Sequence, residues 1–367
     1  LITKRILILG GYGNFGKRIA FALSKAGLPI IIAGRDLKKA TDLAANIKHH
    51  YPDSMIETAR VDVRAQWAES LRKLSPYVVI NTCGPFQLHD YSVAKACIAQ
   101  NVHYLDLADG RDFVVGMDRL DLQAKEHNVL VVSGASTVPG LSSAVLDAYC
   151  HEFSVIESLK FGISPGQKAE RGLATTQAIL TYIGKPLRPF AGHHNACGWQ
   201  DLYCQRYPEL GLRWMANCDI PDLDLLPSHY GIQSIQFSAG MESWSLHFTI
   251  WALSWCVRLG LPFSLSVYAK ILLKMSHIFD FLGTDNGGMH MIMNGKNKLG
   301  EPHMRQWFII AKEGDGPHIP TIPSIILAKK LISGEEERRG AMPCLGLVSL
   351  AEYKAELAGL AIQDYYF

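Results

Sequence analysis

Residues 6 to 20 read ILILGGYGNFGKRIA: four apolar residues, then Gly10, Gly11, Gly13 and Gly16, then a run of basic and small residues. Four apolar residues in a row suit a strand buried on both faces, and the run after the glycines has a helical pattern. Glycine weakens a helix by about 1 kcal/mol relative to alanine. A strand-to-helix junction that keeps four glycines therefore needs a bare main chain. Gly11-Tyr12-Gly13-Asn14-Phe15-Gly16 fits G-x-G-x-x-G. In such a junction Gly11 permits the tight turn, Gly13 lets a pyrophosphate approach the backbone, and Gly16 lets the helix pack against the strand. The helix start supplies N–H groups and a partial positive charge for the phosphates. The alternative is a glycine turn that binds nothing.

The surrounding pattern favours the nucleotide reading. Short β-rich runs occur at 5 (RILIL), 29 (PIIIA), 56 (IETARVD), 77 (YVVIN), 102 (VHYLDL) and 129 (VLVVSG), with helical patterns between them. Apolar strands alternating with helices predict an α/β fold, with a doubly wound parallel sheet in the first half of the chain. The 367 residues suggest two domains.

The second strand ends at Ala33, and Gly34-Arg35-Asp36 follows. NAD-binding sheets usually place a carboxylate here for the ribose 2′-OH, whereas a guanidinium suits a 2′-phosphate. Gly34 with Arg35 therefore points to NADP. Otherwise Arg35 stacks on adenine and Asp36 caps the next helix. Asp62 ends the third strand, where it either meets the adenine or caps the following helix. After the fourth strand, the NTCGPFQ turn (81 to 87) puts Thr82, Cys83, Gly84 and Phe86 at the crevice, to line the ribose and nicotinamide end. Cys83 has no evident neighbouring base, so it reads as a buried thiol rather than a nucleophile.

YVVINTCGPFQLHDYSVAKACIAQNVHYLDLADG (77 to 110) resembles the saccharopine dehydrogenase-like family of NADP-dependent oxidoreductases through Asn81, Gly84, Pro85, Phe86, Ala96, Cys97, Tyr104 and Asp106. The glycine loop and AGRDLKK agree with it. RGLATTQAILTYIGKP (171 to 186), TDNGGMHM (284 to 291) and GDGPHIPTIPSIILAKKL (314 to 331) extend the likeness over most of the chain. The resemblance implies a Rossmann domain over 1–138 and an α+β substrate and dimerisation domain over 139–318. It also implies a C-terminal helical segment over 319–367 that packs back on the Rossmann domain, and frequently a homodimer. Its members reduce C–N bonds of amino-acid adducts or lipid-like enoyl groups, and the resemblance fixes no single reaction.

In the second half, strand patterns fall at 154 to 166 and 232 to 238, and 287 to 316 reads as a β-hairpin. Residues 192 to 230, rich in Gly, Pro, Asn and His, read as loops. Six of the seven tryptophans lie outside the nucleotide half, either as core or as pocket lining. Trp244 to Met275 is nearly all apolar, broken by Arg258, Pro262, Lys270 and Lys274. It reads as a buried helical hairpin, a dimer seam, or an element at a membrane interface.

Hydride transfer needs a polar group near the reacting carbon. Asp109, in the LADGRD loop, is the first candidate for substrate contact, against a plain turn residue. Arg171 is a candidate clamp for a carboxylate or phosphate. His290 is the best histidine for acid–base work, against a satisfied core histidine. No metal site is expected, because neither His49-His50 nor His193-His194 has a helical i, i+4 ligand partner. The eight cysteines form no CxxC and read as reduced thiols in a cytoplasmic protein. A strand near residue 5 predicts no signal peptide, and a net charge of +2 gives no field for nucleic acid. The expected partner is a small-molecule substrate, with peripheral membrane contact through 244–275 as an alternative. The expected function is NADP(H)-dependent hydride transfer at a C–N/C=N or C=C centre. The rivals are a lipid-linked enoyl or keto reductase and a non-catalytic NADPH sensor. The sensor stays open because no proton donor stands out in the sequence.

Overall fold

The computed structural model describes residues 4–87, 90–260 and 265–367. Its strands are β1 (Ile6–Leu9), β2 (Ile30–Gly34), β3 (Ile56–Arg60), β4 (Val78–Asn81), β5 (His103–Asp106), β6 (Leu130–Ser133), β7 (Phe153–Ser164), β8 (Tyr203–Tyr207), β9 (Gly211–Asn217), β10 (Ser234–Gly240), β11 (Gly287–Asn297), β12 (Pro302–Ala311), β13 (Gly340–Pro343) and β14 (Ile362–Tyr366). The chain forms two compact units. The first holds residues up to Ala144 together with His318–Glu356; the second holds Val145–Pro317 and Leu357–Phe367.

The first unit carries a seven-stranded sheet in the order β13-β6-β5-β4-β1-β2-β3, and all six pairings are parallel. Strand order reverses between β1 and β4, which pair as Ile8↔Ile80 and Leu9↔Asn81. Every residue of β1, β2 and β4 is buried, as their unbroken apolar runs require. The helices α1 (Asn14–Lys25) and α2 (Leu37–His50) follow β1 and β2. Ile19, Ala20 and Leu23 form the buried stripe of α1 at helical spacing. The side chain of Asp36 caps α2 by accepting from the Lys39 N–H at 3.2 Å, and basic residues in the last turn suit the helix dipole.

The tail divides. The helix Ile322–Ser333 is mostly buried and packs against α1, β4 and β5 in the first unit. Lys329 binds Glu356 at 2.6 Å there. The expected helical segment 319–367 is therefore corrected on two points. β13 adds a strand beside β6, and β14 belongs to the second unit, where it pairs antiparallel with β12.

The second unit has a mixed seven-stranded sheet in the order β14-β12-β11-β7-β10-β9-β8, with only β10–β7 parallel. β11 and β12 form the expected hairpin. The expected loops at 192 to 230 contain β8, β9 and a helix at Asp222–Tyr230 with Pro227 inside it. Turn-rich composition hid short strands that gain stability only from sheet pairing. The buried-hairpin reading of 244 to 275 also gives way. The helices Trp244–Arg258 and Ala269–His277 leave Trp244, Trp255, Ile271 and Met275 exposed; Pro262 lies outside the described residues. Trp199 and Trp307 are core residues.

Phe161 and Phe237 meet edge-to-face at 4.9 Å across the β7–β10 pair, and Phe161 is fully buried. Phe161→Ala should destabilise the second unit by about 3–5 kcal/mol in urea unfolding; a loss below about 1 kcal/mol would show that this contact is not part of the core.

Candidate functional site

The carboxyl ends of β1, β2 and β4 converge on the glycine loop. Gly10 has a positive φ of 71°. The Gly11 N–H donates to the Ala33 carbonyl at 3.0 Å, and the Gly13 N–H donates to the Gly10 carbonyl at 2.8 Å. A Cβ on Gly16 would lie 2.3 Å from the Gly10 oxygen, and one on Gly11 would lie 2.9 Å from the Ile32 side chain. Helix and strand therefore touch through bare backbone. Gly13 is exposed at the tip and caps α1 with no side-chain hydrogen bond, which leaves the helix start open to an anion. The Asn14 side chain is engaged by Arg18, and Phe15 is half-buried.

At the end of β2 the Tyr12 ring takes the space above Gly34. A Cβ there would come within 2.5 Å of the ring, and the Tyr12 hydroxyl accepts from the Asp36 N–H at 2.9 Å. This contact explains why no carboxylate stands at position 34. Arg35 is exposed, with no ion pair among the described residues. Its charge reaches the Cys83 thiol, as does that of Asp62, so these three expected site residues share one electrostatic neighbourhood. Asp62 neither starts nor caps the helix Trp67–Leu74; its carboxylate accepts from the Arg64 N–H at 3.0 Å in a local turn.

Beneath the turn after β4 runs a chain of buried polar groups. The Asn81 amide donates to the Tyr104 hydroxyl and accepts from the Cys83 N–H, each at 3.0 Å. The Thr82 hydroxyl donates to the Leu9 carbonyl at 2.8 Å, which ties β4 to the glycine loop. Gly84 donates its N–H to Thr82 O at 3.2 Å. Burial pushes the Cys83 thiol up to about 11, so it is no nucleophile at neutral pH. The expectation that Phe86 lines the cofactor is corrected: its ring is 4% exposed and packs on Phe113 at 5.4 Å.

Asp106 ends β5. One of its oxygens accepts from Ala108 N–H, Ser133 Oγ and Gly134 N–H at 2.9–3.0 Å, and burial nevertheless raises its carboxyl to about 6. Asp109 follows, accepts from Gln87 Nε2 at 3.0 Å, and is also raised by burial. Sequence reasoning missed how Asn81, Tyr104 and Asp106 work together. The available signal was a set of polar residues inside otherwise apolar strands.

Arg171 and His290 belong to the second unit, and both are occupied. Arg171 is paired with Asp280 and lies 3.1 Å from His277 Nδ1, which offsets its charge. A clamp role is thereby corrected to an internal ion pair. His290 is fully buried in β11, with Tyr207 Oη 2.7 Å from Nδ1 and Tyr203 Oη 3.2 Å from Nε2. Burial lowers its imidazole to about 3, so it stays neutral and hydrogen-bonded rather than serving as a free acid or base. Among the described residues, no three His, Cys, Asp or Glu side chains gather as a metal site.

Arg35→Ser should weaken NADPH binding by roughly 10- to 100-fold, the loss of about 1.5–3 kcal/mol from a charged hydrogen bond, and leave NADH binding unchanged. Equal losses for both coenzymes in calorimetric titration would remove Arg35 from the 2′-phosphate. His103 and His247 are also lowered by burial, each to about 4. An exposed imidazole titrates near about 6.5, so the unfolded chain takes up protons that the folded chain refuses. The contribution of these three histidines to stability should therefore be complete above about pH 6.5 and fall as pH drops toward about 3, whereas Asp106, raised to about 6, acts with the opposite sign and costs stability as pH rises through about 6. His290→Gln should reduce the slope of unfolding free energy against pH by up to about 1.4 kcal/mol per unit; an unchanged slope in urea titrations contradicts the assignment.

Residues 6–136 match the family described as saccharopine dehydrogenase NADP binding domain. No curated protein matches the chain by sequence. Apo saccharopine dehydrogenase (L-Glu forming) from Saccharomyces cerevisiae superposes with a TM-score of 0.68 at 12% identity, over 99% of this chain and 100% of the other. Amine dehydrogenase from Mycobacterium smegmatis gives a TM-score of 0.49 at 10% identity, over 94% and 95% of the two chains. The domain match brackets the glycine loop, Arg35 and the turn after β4, and the likeness to the yeast protein extends over both units. Residues 6–136 thus form an NADP-binding domain of the saccharopine dehydrogenase type, and the chain as a whole shares the fold of the yeast protein.

Proposed function

We propose that this chain catalyses NADP(H)-dependent hydride transfer to or from a C–N/C=N or C=C centre of a small organic substrate. The observation that carries the reading is the open, side-chain-free start of α1 at the point of strand reversal, with the exposed Arg35, which has no ion pair among the described residues, beyond β2. The backbone of Gly11–Gly16 holds the diphosphate. Arg35 holds the 2′-phosphate, with Tyr12 fixing the β2 end beside it. Thr82, Cys83 and Gly84 form the turn that flanks the loop on its β4 side. When bound, the coenzyme supplies or accepts the hydride.

Asp109 is the group assigned to substrate contact. It stands just past the carboxyl end of β5, where open α/β sheets bind ligands. Its carboxyl is held by Gln87, and burial favours its protonated form more than in an exposed aspartate. It can therefore donate a hydrogen bond or a proton to a developing amine or enolate.

NADPH oxidation followed by absorbance across imine, enoyl and ketone panels tests this. Oxidation is expected with an imine or enoyl acceptor, and Asp109→Asn should slow it about 100-fold or more, the usual scale of acid–base assistance, with NADPH binding retained. Saturable NADPH binding with no oxidation in any panel would make the protein a sensor instead.

A further inference from the structure

The two helices that follow Glu242 leave several large apolar side chains exposed. In Trp244–Arg258 the fully buried residues are His247 and Ser254, while Trp244 is 69% exposed and Trp255 39%. Polar contacts occupy the inner side. Ser254 Oγ lies 3.4 Å from Gln200 Nε2 and donates to the Trp251 carbonyl at 2.7 Å, and the Trp199 indole faces the His247 carbonyl at 3.5 Å. A run of rings flanks that buried line, with Phe248 and Trp251 half-buried and Trp214 and Trp255 exposed: Trp214 on Phe248 at 5.2 Å, Phe248 on Trp251 at 6.1 Å, and Trp251 on Trp255 at 6.3 Å.

The helix Ala269–His277 continues the pattern. Ile271, Met275 and Ile278 recur at i, i+4 and i+7 and are 59%, 52% and 67% exposed. Lys270 and Lys274 recur beside them, are exposed, and have no ion pair among the described residues. Among the described residues, nine of the nineteen exposed large apolar side chains fall between Trp244 and Phe281. Patches of this density mark contact surfaces.

Charge selects the occupant. From Ser243 to Phe279 the sequence has no Asp or Glu, while Arg258, Lys270 and Lys274 are cationic. Arg258 is bound to the neutral Gln200 and lies 5.1 Å over the Trp255 ring, so its charge is not offset. A two-fold pair of identical patches would set these cations against one another with no carboxylate of the segment to relieve them. Anionic lipid headgroups complement them, and Trp and Tyr side chains favour the headgroup zone. No described helix is long and apolar enough to cross a membrane, so the geometry is that of helices lying on a surface. We propose that the exposed apolar and cationic side chains of these two helices dock the second unit onto an anionic lipid bilayer.

Vesicle flotation of the full chain tests it, with phosphatidylcholine vesicles compared against the same vesicles containing phosphatidylserine. The chain should float with the phosphatidylserine vesicles, with a blue-shifted tryptophan emission, and should be released by high salt. Lys270→Glu with Lys274→Glu should weaken that binding by more than 10-fold, at about 5-fold per lysine, with NADPH affinity unchanged as the check on folding. Ile271→Asp with Met275→Asp should abolish flotation. A chain that binds NADPH but stays unbound with phosphatidylserine vesicles overturns the proposal. So does equal binding to both vesicle types, or a dimer in sedimentation that shields the same tryptophans from quencher.

Discussion

Gly16 against Gly10 is the contact on which the nucleotide-binding unit depends. With 2.3 Å between a notional Cβ and a carbonyl oxygen, the site admits no side chain at all. Helix and strand can approach only because both surfaces are main chain, and the same bareness leaves the helix start open to a diphosphate. The packing requirement and the binding requirement are met by the same atoms. Thr82 secures the other side: its hydroxyl binds the Leu9 carbonyl, so the β4 turn and the glycine loop hold a fixed relation.

Much of the first unit was legible because its signals are local. Six β-rich runs became six strands of one parallel sheet, while their order came only with the structure. Tyr12 shows what remained hidden. Its ring explains why position 34 is glycine, but that contact joins residues twenty-two positions apart and leaves no periodic trace. The inward turn of the Phe86 ring was hidden too, because it depends on packing against Phe113, which is distant in sequence.

The second unit resisted sequence reading more strongly. β8 and β9 are short and set among turn-forming residues, and their stability comes from neighbours distant in sequence. Arg171 and His290 carried chemically plausible side chains, yet Asp280 and two tyrosine hydroxyls complete them internally. Lys160 lies 3.7 Å over the Tyr203 ring beside that histidine, so cation, rings and imidazole form one internally satisfied group. The apolar stretch after Glu242 was visible in the sequence, but its direction was not: hydropathy cannot say whether a tryptophan points inward or outward.

Calorimetric titration of the unmodified chain with NADPH and with NADH tests the role of the glycine loop most directly. Saturable binding of one NADPH per chain, tighter than NADH, with a matching rise in melting temperature, is the expected result. Absence of heat and of any thermal shift with either coenzyme would contradict it and leave the loop a packing device alone.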